Sequence, residues 1–386
     1  MFERKITEKL KGYVKTYRAV CIVGPRQSGK TTLVRHVFND YQYCSLENPD
    51  TRKRAIDDPR SFLASFNKSA ILDEIQYVPD LFSYLQEILD DSNDQRNFIL
   101  TGSNSFQLNE KISQSLAGRV RIATLLPLLN SELPEKMRTK DLDQLLYSGS
   151  YPRIYDKGLN PTEWYADYYN TYVQKDVRTL LNVSNLNLFD TFTRLCAGRT
   201  GNLADYSSIA SEAGITQPTA VRWASVLEAS FLIFRLKPHF VNFNKRIIKS
   251  PKIYFFDTGL LCYLLHIRTK EHLFNHPLRG AIFENWVIAE IHKAYFAKGL
   301  QPPLYFWRDQ HGHEVDLVVD NGSKLHPLEI KCSATFNSHW LKTLNWFNKL
   351  QNYNRSHIIY AGDENFTHGG SEVLSYNYDF CKLPWR

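Results

Sequence analysis

The chain has 386 residues, 43% of them hydrophobic, and a formal net charge of +7. That length predicts two to three domains with ordinary cores. Its apolar runs fall short of the about 20 residues that a membrane-spanning helix needs. The N-terminal stretch MFERKITEKLKGYVKTYRAV is amphipathic and charged and lacks an apolar signal core, so a soluble cytoplasmic protein without a membrane partner is expected. The six cysteines are scattered, with no CxxC pair, which argues for reduced buried thiols and against a zinc site. The mildly basic balance suits a nucleic-acid partner but decides nothing alone.

In chain order, RAVCIVG (18–24) is a short apolar run bounded by Gly24 and Pro25, the pattern of a buried parallel strand. GPRQSGKT follows and fits G-x-x-x-x-G-K-[ST] in full, and TTLVRHVF continues with helical periodicity. Gly24, Pro25, Arg26, Gln27, Ser28, Gly29, Lys30, Thr31 and Thr32 thus form a loop whose N–H groups and helix start would cradle the phosphates of ATP. Lys30 would reach the β- and γ-phosphates and Thr31 would hold Mg²⁺. SAILDEIQYV (69–78) supplies the second half: Asp73 at a strand end for Mg²⁺, and Glu74 to polarise the attacking water. Without the preceding loop, the same acidic pair reads as a solvated turn. NFILTGSN (97–104) is a third strand, ending in Ser103 and Asn104 as γ-phosphate sensors or simple strand-end caps. Arg119 follows an Ala-Gly pair; it is either a phosphate-facing arginine, on its own nucleotide or a neighbour's, or half of a surface ion pair.

Residues 131–190 alternate helical pieces with aromatic stretches that read as packing surfaces, and KDVR (175–178) as a charged helix turn. LADYSSIASEAGITQPTAVRWASVLEASFLIFRL (203–236) parses as helix, turn, helix: a Ser cap and closing Gly214, then Thr216 as cap with Pro218 in the first turn. The strands FLIFRLKPHF and KIYFFD follow, giving a winged helix-turn-helix with Gln217, Thr219 and Arg222 at the start of its second helix. Such a module docks on protein or on DNA. The basic string NKRIIKSPK (244–252) keeps DNA in view.

RGAIFENWVIAEIHKAYF reads as an amphipathic helix carrying Glu284, followed by strands LYFWRD, HEVDLVVDNG and HPLEIKC. Glu329 and Lys331 lie two apart and share one strand face. Asp316 lies on the adjoining hairpin strand, and Glu284 enters from the helix. Hard oxygen ligands at Glu284, Asp316 and Glu329 would bind a divalent cation, with Asp316, Glu329 and Lys331 as the catalytic set for phosphodiester hydrolysis. His311 and His313 read as loop residues rather than ligands.

These strings, with YCSLENPDTRKRAIDDP, LDEIQYVPDLF, GSYPRIYD, YVQKDVRTL, FWRDQHGHEVDLVV and LEIKCSAT, resemble the prokaryotic AAA-like ATPases near the STAND type. These pair a Walker ATPase core with a C-terminal domain of unknown function containing a restriction-endonuclease-like fold. The resemblance implies nucleotide contacts at Lys30, Thr31, Asp73 and Glu74, and a nuclease-like site at Glu284, Asp316, Glu329 and Lys331. The expected architecture is α/β: a P-loop NTPase domain (1–130), a helical and winged-helix region (131–265) and a restriction-endonuclease-like α/β domain (266–386). Two functions fit it. One is an ATP-hydrolysing protein that governs a nuclease on DNA. The other is an ATP-dependent partner-binding switch with an inactive nuclease-like domain. Self-association suits either.

Overall fold

The computed structural model describes residues 1–103, 116–173, 186–239, 250–309, 311–351 and 355–383. Asn104, KDVR (175–178) and the first six residues of the basic string (244–249) lie outside the described residues. No helix among the described residues is long and apolar enough to cross a membrane. Cys21, Cys196 and Cys262 are buried, and all six cysteines are free.

The first sheet has five strands: β1 (Ala19–Val23), β2 (Gln42–Ser45), β3 (Ala70–Asp73), β4 (Phe98–Gly102) and β5 (Val120–Thr124). Their order is β2-β3-β4-β1-β5 and every pairing is parallel. β1, β3 and β4 are buried along their whole lengths, because helices cover both faces of the sheet. Helices Thr7–Thr16 and Lys30–Val37 close one face around Leu10, Leu33 and Val34; Phe62, Leu63, Leu81 and Leu85 close the other. A parallel sheet gathers all its strand C-termini at one edge, and that edge carries Gly24, Asp73 and Ser103.

Helices Tyr206–Ala213 and Gln217–Ala229 form the predicted pair, with Gly214 at φ +68° between them. Thr216 caps the second by accepting from the Thr219 N–H. The first is capped by Asp205, whose carboxylate takes the N–H groups of Ser207 and Ser208, and not by a serine. A carboxylate at that position satisfies two orphan donors at once. The pair leads into β6 (Ile233–Pro238) and β7 (Lys252–Phe255), which run antiparallel.

The hairpin does not stand alone. β6 pairs in parallel with β8 (Leu304–Arg308) through Lys237–Tyr305 and Pro238–Phe306, so it extends the C-terminal sheet. That sheet adds β9 (Glu314–Asp320), β10 (Leu325–Lys331), β11 (His357–Tyr360), β12 (Phe366–His368) and β13 (Ser371–Ser375), in the order β12-β13-β11-β10-β9-β8-β6-β7. β9 and β10 turn over Asn321-Gly322, where Asn321 Oδ1 accepts from the Ser323 and Lys324 N–H groups. One hydrophobic core runs from Leu126 through the middle helices to Leu383. The helix Arg279–Ala297 passes through it. It is buried on nearly all sides rather than on one stripe, and Asn285, Glu290 and Lys293 are buried with it. Asn285 holds it to β7 by accepting from Phe255 N at 2.7 Å and donating to Phe255 O at 2.8 Å.

Candidate functional site

β1 delivers the chain to Gly24, where any side chain is excluded: a Cβ there would lie 2.1 Å from the main-chain oxygen of Leu125. Gly29 takes φ +95° and the helix begins at Lys30. Lys30 is buried, and its ammonium donates to Gly24 O at 2.9 Å and Pro25 O at 2.8 Å, which places it inside the curve of the loop. The Thr31 hydroxyl lies 3.0 Å from each carboxylate oxygen of Asp73. Asp73 is 4% exposed and also accepts from Tyr43 OH at 2.8 Å and from the Thr101 hydroxyl. Burial and Asp73 push the Tyr43 phenol up to about 12, so it stays a donor.

Glu74 follows at φ +57°, an uncommon conformation for a residue with a side chain. Its N–H donates to Thr101 Oγ1 at 3.1 Å, while its carboxylate accepts from Ser103 Oγ at 3.2 Å and from Gln76 Nε2. A pocket of about 490 Å³ opens over these groups. Gln27, Gly29, Lys30, Thr31, Thr32 and Glu74 form one wall; Phe2, Arg4, Leu128, Pro152, Arg153 and Lys157 form part of the other. Its volume lies in the usual range for small-ligand sites. Hydroxyl and carboxylate oxygens at Thr31 and Asp73 suit Mg²⁺, a hard cation.

A second polar cluster lies where β7, β9, β10 and helix Arg279–Ala297 meet. Tyr254 OH donates to Glu284 Oε1 at 2.5 Å, and Lys252 Nζ stands 3.6 Å from the same oxygen. Lys252 also pairs with Glu314, whose other oxygen is 3.3 Å from Arg308 Nη1. Lys331 Nζ is 2.5 Å from Glu329 Oε1 and 3.8 Å from Asp316 Oδ2. Asp316 Oδ2 accepts from the Ile330 N–H at 2.8 Å, so a side chain takes over where the β9–β10 pairing ends at Leu328–Leu317. Glu329 is 8% exposed and its Oε2 has no hydrogen-bond partner. Burial, then the charge of Asp316, pushes Glu284 up to about 7 and Glu329 up to about 8.

A model described as an AAA domain matches residues 16–133. Two models described as domains of unknown function, DUF8612 and DUF4143, match residues 139–271 and 279–378. Two curated mycobacterial proteins, Uncharacterized protein Rv2008c of Mycobacterium tuberculosis and Uncharacterized protein Mb2031c of Mycobacterium bovis, are each 33% identical over 322 residues, covering 82% of this chain and 70% of their own. The chain belongs to their family. Its N-terminal part is a P-loop ATPase-like domain. Among solved structures, the Walker-type ATPase PABY2304 of Pyrococcus abyssi is 14% identical, covering 68% of this chain and 96% of its own, at a TM-score of 0.45. AMPPCP-bound DnaA from Aquifex aeolicus is 12% identical, covering 57% and 86%, at 0.30.

Several expected site residues fall elsewhere. Arg119 precedes β5, whose first residue pairs with the first residue of β1, so it sits at the edge of the sheet opposite the loop. A strand of that length spans on the order of 15 Å. Its guanidinium is held by exposed Asp90 at 2.6 and 2.9 Å, which corrects the phosphate-facing reading within one chain: a surface ion pair took the residue. Arg26 points instead to the Tyr172 ring. The trio Glu284, Asp316 and Glu329 is not gathered as a ligand set; among the described residues no three His, Cys, Asp or Glu side chains are grouped to hold a metal ion. The reason is local: Glu284 faces Lys252 and Tyr254, while Glu329 faces Lys331. Lys252, last residue of the basic string, is 3% exposed and bound to carboxylates rather than offered to DNA. His313 stacks on Trp346 and pairs with Asp309.

Sequence reasoning missed Tyr43 and Thr101, which close on Asp73 from neighbouring strands, and Arg4, which donates to Ser28 O at 2.9 Å beneath the loop. It also missed Arg153, which lies on the pocket wall within GSYPRIYD. Pro152 marks a helix start in the sequence, but its place beside Gly29, which brings Arg153 to the pocket, is set only by the tertiary fold.

Proposed function

We propose that this protein binds and hydrolyses ATP with Mg²⁺ at the loop of residues 24–32. The contact of the Thr31 hydroxyl with both oxygens of Asp73 carries this reading. It sets a hydroxyl and a carboxylate side by side at the mouth of the loop, the oxygen pair that would hold the ion. Bound Mg²⁺ would neutralise phosphate charge. Lys30 and the N–H groups at the helix start bind the phosphates, and Arg153 and Lys157 add positive charge from the facing wall. Glu74, held by Gln76 and Ser103, takes the proton of the attacking water. The test is phosphate release alongside nucleotide binding. Lys30→Ala should lose binding, whereas Glu74→Gln should bind ATP and turn over about 10² to 10⁴ times more slowly. Turnover by Glu74→Gln at the wild-type rate would overturn the assignment.

We infer as a second reading a metal-dependent phosphodiester hydrolysis on DNA by the C-terminal domain. The observation that favours it is the buried, unpartnered Oε2 of Glu329 beside Asp316 and Lys331. A buried carboxylate oxygen without a donor is costly, and a divalent cation would satisfy it. Asp316 and Glu329 would hold the ion, whose chemistry is to polarise the phosphate, and Lys331 would steady developing charge on oxygen. Labelled single- and double-stranded DNA with Mn²⁺ and ATP tests this beside Lys331→Ala and Lys30→Ala. Cleavage lost with the first and altered by the second supports an ATP-governed nuclease. ATP hydrolysis with no cleavage on any substrate leaves the ATP-dependent switch.

A further inference from the structure

Three hydroxyls hold the carboxylate of Asp73, and they do not play equal parts. Thr31 lies 3.0 Å from each of its oxygens. Thr101 donates to Oδ1, and Tyr43 donates to Oδ2 at 2.8 Å. In the ATP reading the Thr31 oxygen is itself given to the ion, which leaves Thr101 and Tyr43 as anchors, one for each carboxylate oxygen. Thr101 is fully buried, and its oxygen also accepts from the Glu74 N–H. Tyr43 differs. It stands on the edge strand β2 and is 38% exposed, yet its hydroxyl turns inward to a carboxylate that is 4% exposed. In the register of β2 and β3, Tyr43 lies opposite Ile71 and Ser45 opposite Asp73, so Asp73 is the diagonal neighbour of Tyr43 on the same face. Long aromatic side chains can span such a diagonal. Arg35 lies over the ring at 4.6 Å, and it comes from the helix that begins with Lys30 and Thr31.

We propose that Tyr43 is a positioning residue for the divalent ion of the ATP site: its hydroxyl holds Oδ2 of Asp73 so that the carboxylate faces the ion beside Thr31. The proposal rests on the reading of residues 24–32 as a site for ATP and Mg²⁺. A carboxylate turns about the single bond that carries it unless both oxygens are held. Thr101 holds one and leaves that rotation open; Tyr43 holds the other and closes it. The phenol ring is steadied in turn by the Arg35 guanidinium. The helix that presents Thr31 thus also steadies, through Arg35 and Tyr43, the carboxylate on β3. Partners that orient a metal ligand are worth about 10- to 100-fold in metal affinity or activity.

The test titrates the full chain with a non-hydrolysable fluorescent ATP analogue, once in excess Mg²⁺ and once in EDTA. The ratio of the two affinities is the gain due to the ion. Tyr43→Phe removes the hydroxyl and keeps the ring under Arg35. It should leave the affinity in EDTA unchanged and cut the gain by about ten-fold or more. A merely structural role would lower both affinities together. The rise in melting temperature on adding the Mg²⁺-bound analogue is a second readout, smaller in Tyr43→Phe than in the wild type. An unchanged or larger gain in a folded Tyr43→Phe protein overturns the role of Tyr43 while leaving the ATP site standing. If Tyr43→Phe unfolds, Arg35→Ala frees the ring and keeps the hydroxyl. It should cut the gain by about three-fold, and an unchanged gain overturns the proposal equally. Wild-type binding that is the same in Mg²⁺ and in EDTA overturns the ion site at Thr31 and Asp73. No nucleotide binding by the wild type overturns the ATP reading itself.

Discussion

Replacing Lys293 by Met should destabilise the chain far more than its distance from either site suggests. Lys293 and Glu290 are 3% and 2% exposed, one helical turn apart, with Nζ 3.0 Å from Glu290 Oε1. The ammonium also donates to Ser150 Oγ at 2.9 Å and Leu128 O at 3.2 Å. Burial pushes the Glu290 carboxyl up, and Lys293 opposes that shift. Methionine keeps the stem but removes every one of these donations. Glu290 would then rely on the Asn130 N–H at 2.9 Å alone. Breaking one side of a buried pair costs about 3–5 kcal/mol, because the remaining charge is left without compensation. Lys293→Met with Glu290→Gln removes both charges, so the double variant should lose no more than the worse single one. That gives a coupling energy of about 3 kcal/mol or more. Urea unfolding followed by circular dichroism on the four proteins of the cycle measures it. Single losses below about 1 kcal/mol, or strict additivity, would show that solvent reaches the pair and would refute the reasoning.

Three further outcomes follow from the geometry. Gly24→Ala should lose nucleotide binding by about ten-fold or more, read by titration of a fluorescent ATP analogue, because the methyl meets main chain at 2.1 Å and no rotamer relieves it. Arg119→Ala should leave that affinity and the melting temperature at their wild-type values, since its partner Asp90 is an exposed carboxylate remote from the loop. Glu329 is pushed up from the usual 4.5 to about 8 by burial and Asp316. The folded chain therefore holds a proton there that the unfolded chain releases, and stability falls as pH rises through that window. In EDTA, Glu329→Gln should flatten the decline, and its urea midpoint should gain most at the alkaline end.

The nucleotide loop was legible because its chemistry is contiguous: strand, loop and helix come in order within a few residues, and no tertiary information is needed to place Lys30 or Thr31. Asp73 was legible for a related reason, as the acid that ends a fully apolar run. What surrounds it was not. Tyr43 and Thr101 reach Asp73 only because β2 and β4 flank β3, an order no local pattern specifies. The same holds at the second site. Period-2 spacing put Glu329 and Lys331 on one face, and they do pair. The basic string ending at Lys252 keeps DNA in view in one dimension, whereas the burial of Lys252 depends on β6 joining β8 and carrying β7 against the carboxylates. Arg119 misled because a small-residue pair before an arginine looks like a phosphate approach, while the strand register that sends it to the far edge is invisible in one dimension.

The two sites share more than a chain. Arg4 donates to Ser28 O under the nucleotide loop and, through Nε, to Glu132 at 2.9 Å. Glu132 accepts from the Leu129 N–H at 3.0 Å, and the next residue's N–H goes to Glu290. Glu290 and Lys293 belong to the helix that carries Glu284, and Lys293 meets Ser150, whose N–H and hydroxyl both donate to Asp257 at 2.7 Å. Arg4, Glu132, Glu290, Lys293 and Asp257 are all buried, so each depends on its neighbour for compensation. A shift of the loop at Ser28 would meet these buried hydrogen bonds before it met solvent. The chain thus has a desolvated polar connection from the phosphate loop to the helix bearing Glu284, while the apolar core around it resists continuous deformation.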